Sequence, residues 1–137
     1  MVYFHDNYFE KEIRNGFEVS SMMKRAWAGQ IEVLSVIREI CERHNILWFA
    51  DYGTLLGAVR HKGFIPWDDD MDIGMTRDNL NNFIKYAKDE LPDEYKLLCM
   101  DLEPQYDSLI VRVVNSTSVS MDKERLYKFH GCPYVLG

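Results

Sequence analysis

Residues 53–74 read GTLLGAVRHKGFIPWDDDMDIG, and how this stretch folds decides the reading of the whole chain. Its centre is Asp68-Asp69-Asp70-Met71-Asp72, four carboxylates in five positions, followed by Ile73 and Gly74. On an extended strand, alternate side chains share a face, at about 3.3 Å rise per residue. Asp68, Asp70 and Asp72 are therefore expected on one face, roughly 6–7 Å between neighbours, with Met71 and Ile73 turned into a core. Carboxylates this close repel unless a cation sits among them, and all-oxygen ligands favour Mg²⁺ or Mn²⁺. The competing reading is an acidic, solvated turn after Pro66. Apolar neighbours (Phe64, Ile65, Trp67, Met71, Ile73, Met75) weigh against it, because solvated acidic loops are polar throughout. A calcium loop fails on spacing: its glycine would fall at Ile73 and its bidentate glutamate at Asn79.

Upstream, the apolar run Ile46–Ala50 precedes Asp51-Tyr52-Gly53-Thr54. The expected parse is a strand, a Gly-Thr turn and a short helix through Arg60. Gly53 permits close backbone approach, and Thr54 is placed to cap the helix, whose first amides suit a phosphate. One element then grips phosphates while the next holds the metal that bridges them. Arg60, His61 and Lys62 are the cationic cluster of the motif. Arg60 and Lys62 suit phosphate oxygens, and Arg60 equally suits a structural pairing with the aspartates. Asp51 is open between capping the turn and touching a substrate hydroxyl.

GTLLGAVRHKGFIPWDDDMDIGM resembles the signature of the LicD family, whose relatives include the fukutin-related proteins. Resemblance continues through GFEVSSMMKRAWAGQIEVL and through residues 112–117, covering roughly residues 16–132. It implies a nucleotidyltransferase-like α/β (α+β) fold, a small mixed sheet with packed helices. It implies Mg²⁺-dependent transfer of phosphocholine, or a related polyol phosphate, from a CDP-linked donor such as CDP-choline. The acceptor would be a cell-surface glycan, teichoic acid or lipopolysaccharide. Two alternatives stay open: a nucleotidyl transferase using a nucleoside triphosphate, and a non-catalytic nucleotide-binding domain. Family members are longer, so residues 17–137 are expected to form a domain incomplete at its C-terminus, the donor-binding half of an enzyme. A third metal ligand is expected beyond residue 137.

At 137 residues the chain suits one domain, and its 47% apolar content suits a packed core. A net charge of −6 argues against a nucleic-acid surface. No leader pattern opens the sequence and no apolar run approaches 18 residues, so a cytoplasmic chain without a transmembrane segment is expected. The three cysteines, Cys41, Cys99 and Cys132, suit buried thiols better than a disulfide framework.

Taken in order, residues 1–16 read as a loosely packed N-terminal arm. Residues 20–44 give a helix capped at Ser20 or Ser21, with Met23, Trp27, Leu34, Ile37 and Cys41 at helical spacing. Lys24, Arg25 and Glu32 are assigned to its solvated face. Thr76 begins a second helix to about Leu91, stopped by Pro92. Residues 95–100 and 109–114 read as strands, the second apolar except Arg112, which is expected to turn toward the site. Asn115 stands where a third carboxylate is sought, and Asp122 is a further position for one. Trp67, Tyr52 and Phe64 are aromatic candidates for a choline headgroup, with rim or core packing the alternative for Trp67.

Overall fold

Ser20 opens the longest element, its hydroxyl accepting the Met23 N–H at 3.1 Å, and α1 runs over Ser21–Arg43. In the computed structural model, which describes residues 1–137 throughout, α1 is the spine on which α3 and the last strands pack. The chain then makes β3 (Phe49–Ala50), α2 (Tyr52–Arg60), β4 (Ile73–Gly74) and α3 (Arg77–Glu90). Two further strands, β5 (Lys96–Leu98) and β6 (Arg112–Val114), and a short α4 (Lys123–Lys128) complete it. Thr76 caps α3, and Leu91 ends it ahead of Pro92.

The fold is mixed α/β. The small sheet expected is present as three separate ladders, all antiparallel: β1 (Glu12–Arg14) with β2 (Phe17–Val19), β3 with β4, and β5 with β6. The core lies where Val33, Ile37 and Ile40 of α1 meet Phe83 of α3 and Leu97 and Val113 of the last ladder. Burying each such side chain contributes about 1.5–3 kcal/mol.

The first sixteen residues differ from the loosely packed arm expected. A 3₁₀ turn (Asp6–Phe9) is followed by β1 (Glu12–Arg14), which pairs with β2 (Phe17–Val19). The expected division at residue 16 therefore falls in a hairpin turn, where Asn15 and Gly16 both adopt positive φ. This segment lies across the face of α1 assigned to solvent, so Lys24 and Glu32 are buried. Lys24 Nζ pairs with Glu12 at 3.3 Å. Glu32 accepts the Val2 N–H at 2.6 Å and faces His130 Nε2 at 2.8 Å. The partners of Glu32 are 30 and 98 residues away in sequence, so no local pattern could announce them.

The three cysteines are free and buried. No helix is long and apolar enough to cross a membrane.

Candidate active site

The aspartate segment is not the strand its alternation suggests. Residues 68–72 are irregular, and regular pairing begins at Ala50↔Ile73, with one further bond from Asp51 N–H to Asp72 C=O (3.1 Å). Two side chains of α1 pull the segment off the ladder. Trp27 Nε1 donates to the Asp68 carbonyl at 2.8 Å, and Gln30 Nε2 donates to that of Asp69 at 2.5 Å. Phe64 stacks on the Trp27 ring, planes 3° apart and centroids 4.9 Å apart, which fixes the indole and hence the bond it donates. Trp27 looked like simple core at helical spacing. Its indole N–H is what makes it a positioning residue.

With the backbone held from behind, the carboxylates project together. Oxygens of Asp68, Asp69 and Asp70 lie within 4.8 Å of one another. Strand alternation selects Asp68, Asp70 and Asp72 and leaves out Asp69. The irregular backbone brings three consecutive side chains to one place and sets Asp72 to the side. Asp72 is instead tied to α2, its N–H donating to Thr54 Oγ1 at 2.7 Å. Desolvation, then the Asp70 charge, raises the Asp68 carboxyl above its ordinary pKa. Desolvation also raises Asp72, followed by the charges of Asp70 and Asp51, while Arg112 pulls it back down. Like charges are thus gathered without enough positive charge among them.

The Gly-Thr bend stands directly opposite. α2 is capped by Asp51, whose carboxylate accepts the Tyr52 N–H at 2.9 Å, so the cap lies three residues before Thr54, the expected position. Tyr52 takes a φ of +42°, a strained value for a bulky residue at the mouth of the site. Gly53 and Thr54 fall in the first turn of α2, where backbone N–H groups lack helical partners and the dipole favours negative charge. A Cβ added to Gly53 would stand 2.5 Å from Asp68 Oδ2, so glycine lets the helix start and this carboxylate meet without displacing the carboxylate. A cavity of about 170 Å³ opens here, lined by Gly53, Thr54, Phe64, Asp68 and Asp70. A larger one, about 480 Å³, lies on the other side of Asp70 and Asp72 and is walled by Arg112 and apolar residues of α1, α3 and β6.

The structure therefore brings together Gly53, Thr54, Asp68, Asp70, Asp72 and Arg112, and adds Asp51 and Asp69. Arg60 and Lys62 stand apart, at the far end of α2, about 12 Å of helix from its start. Arg60 Nε donates to its neighbour His61 at 3.3 Å, and Lys62 Nζ donates to the Val59 carbonyl at 3.1 Å. Neither pairs with an aspartate. Asn115, 2% exposed, accepts the Leu136 N–H at 2.8 Å, and Asp122 caps α4. Both are therefore committed to structure. Trp67 and Tyr52 are exposed at the rim, while Phe64 is taken up by Trp27. Arg77 is exposed.

A divalent cation fits this donor set on chemical grounds: three clustered carboxylates, hard oxygen donors, with too little positive charge nearby.

The family described as LicD/FKTN/FKRP, nucleotidyltransferase domain, matches residues 45–131, which contain the bend, every aspartate of the segment and Arg112. The chain belongs to this family. Among curated relatives, the lipopolysaccharide cholinephosphotransferase LicD of Haemophilus influenzae is 37% identical over 84 residues, 61% of this chain and 32% of the relative. The human ribitol 5-phosphate transferase FKRP is 37% identical over 43 residues, 31% of this chain and 9% of that protein. An uncharacterised Rickettsia typhi protein is 42% identical over 52 residues, 38% of this chain and 17% of the relative. The matched stretch thus spans about a third or less of these relatives. No solved structure matches the chain.

Proposed function

We propose that this chain carries the donor-binding site of a Mg²⁺- or Mn²⁺-dependent transferase. It would move phosphocholine, or a related polyol phosphate, from a CDP-linked donor to a hydroxyl of a cell-surface glycan. One observation carries the reading: a triad of carboxylates packed against a helix start, with Asp68 Oδ2 where a side chain at Gly53 would begin. The names of the LicD and FKRP relatives supply the transferred groups.

Asp68, Asp69 and Asp70 would hold the cation, with Asp72 beside them. When bound, the cation supplies Lewis-acid polarisation of the phosphoryl oxygens and screens the charge that builds on them. The open amides of the first turn of α2 would donate to phosphate oxygens of the CDP-linked substrate, and Thr54 keeps Asp72 in register beneath them. Arg112, which shares the larger cavity with Asp70 and Asp72 and acts on the Asp72 charge, would neutralise a phosphate that approaches from that side. Arg60 and Lys62, exposed at the other end of the helix, contribute at longer range by drawing in an anionic donor. In the reaction, a new P–O bond forms to the acceptor hydroxyl and the P–O–P bond of the donor breaks. CMP leaves, and the hydroxyl proton passes to a carboxylate of the segment.

Calorimetric titration of CDP-choline, CDP-ribitol and CTP, with and without Mg²⁺, tests this reading. Tighter binding of a CDP-linked donor than of CTP, and only with metal, is expected. Preferred binding of CTP, with pyrophosphate rather than CMP released, would turn the assignment to nucleotidyl transfer.

A further inference from the structure

Arg14 and Phe17 face each other across the N-terminal hairpin, paired in register between β1 and β2. Residues directly opposite on an antiparallel pair project to the same face. On that face each meets a tryptophan. The Arg14 guanidinium carbon lies over the Trp27 ring, 5.6 Å from its centroid. The Phe17 ring meets that of Trp67 with centroids 6.0 Å apart and planes at 67°. Trp27 donates its indole N–H to the Asp68 carbonyl, and Trp67 immediately precedes Asp68 in the chain. One cross-strand pair thus touches both tryptophans that border the first carboxylate of the cluster.

The pair is itself anchored. Arg14 Nη2 donates to Glu12 Oε1 at 2.5 Å, and the same oxygen pairs with Lys24 Nζ at 3.3 Å. Lys24 is 4% exposed and stands three residues before Trp27, so both lie on one face of α1. Lys24 holds Glu12, Glu12 holds Arg14, and Arg14 covers the ring that bonds Asp68. Phe64 also stacks on Trp27, but it belongs to the same irregular loop as the aspartates. Arg14 comes from a separate strand and ties the indole to a frame built on α1. Arginine suits this task, because its planar cation attracts an aromatic face while its N–H groups keep a carboxylate. Arg14 and Trp27 both precede residues 45–131, the family-matched stretch, so this support comes from outside it.

We propose that Arg14 is a positioning residue for the cation site, with Phe17 steadying the other side of Asp68. By holding Trp27, Arg14 fixes the main chain at Asp68, and with it the approach of that carboxylate to those of Asp69 and Asp70. Its hold on the indole needs only the hairpin and α1. Its effect on metal affinity rests on the reading of the three carboxylates as a cation site.

The test follows exchange of the Trp27 indole N–H by NMR in metal-free protein, and Mg²⁺ affinity by calorimetry, in the parent and three variants. Arg14→Met keeps a long side chain over the ring and removes its charge. Arg14→Lys restores a cation. Lys11→Ala breaks an exposed ion pair with Glu18 on the same hairpin (3.8 Å) and controls for the hairpin's own stability. In Arg14→Met the indole should exchange roughly fivefold faster and Mg²⁺ should bind roughly fivefold more weakly, the scale of one cation–π contact. Arg14→Lys should regain most of both, and Lys11→Ala should move neither. An indole that exchanges at the parent rate in Arg14→Met would overturn the proposal. So would equal effects in Lys11→Ala, or a loosened indole with Mg²⁺ affinity unchanged. A parent that takes up no Mg²⁺ would instead remove the cation site, and the exchange rates alone would then decide whether Arg14 holds Trp27.

Discussion

Two acidic sites lean on different faces of α1, and they are built on opposite plans. At Glu32 the backbone is ordinary helix and the side chain is the satisfied part, bonded to Val2 and His130 and 2% exposed. At Asp68–Asp70 the backbone is the satisfied part, held by Trp27 and Gln30, while the carboxylates are left to crowd one another. A carboxylate that holds a fold together finds its partners inside the chain. One that is ready for a ligand has its main chain anchored and its charge uncompensated, which costs stability that only a bound cation recovers.

Glu32→Ala should break the first site outright. Leaving the Val2 N–H and His130 without an acceptor costs about 3 kcal/mol, a fall in Tm of roughly 10 °C in thermal unfolding. Metal-dependent nucleotide binding measured well below that Tm should persist, because the aspartates are anchored from α1 independently. Gly53→Ala probes the second site. Its methyl group displaces the Asp68 carboxylate, so Mg²⁺ affinity by calorimetry should fall about tenfold, about 1.4 kcal/mol, with circular dichroism unchanged.

Asp68→Asn gives the smallest effect and the most discriminating sign. A carboxyl whose folded pKa is raised binds its proton more tightly in the native state. Its contribution to stability is therefore present at low pH and falls away as pH rises from the unfolded value of 3.8 through the raised one. Near neutral pH the asparagine variant, free of that repulsion, should melt slightly higher than the parent without metal, about 1–3 °C. It should gain less from added Mg²⁺. A variant that melts lower without metal would show that Asp68 is a structural acid like Glu32.

The same contrast explains what the sequence made legible. α1 and α3 could be placed to within a residue, because Ser20 and Thr76 are strong local caps and the apolar period is long. The Gly-Thr bend and the acidic run were visible as residue types whose closeness in sequence matched their closeness in space. The strand over 68–72 was not there to be read. Period-two alternation is a local signal, and Trp27 and Gln30 override it from some 40 residues away. Asp69 was missed for the same reason, since consecutive side chains share a face only once the strand is abandoned. Lys24 and Glu32 looked like solvated charges because what covers them comes from the N-terminal segment and from His130. Asp51 suits either of two roles in the sequence, and the start of α2 makes it the cap.

The most direct test of the central claim, that the aspartates opposite Gly53 form the metal site through which nucleotide binds, is one calorimetric comparison. CDP-choline is titrated into the parent chain and into Asp70→Asn, each with and without Mg²⁺. The account predicts binding to the parent only with Mg²⁺ and none to the variant under either condition, with both folded by circular dichroism. Equal affinity in the two proteins would contradict it.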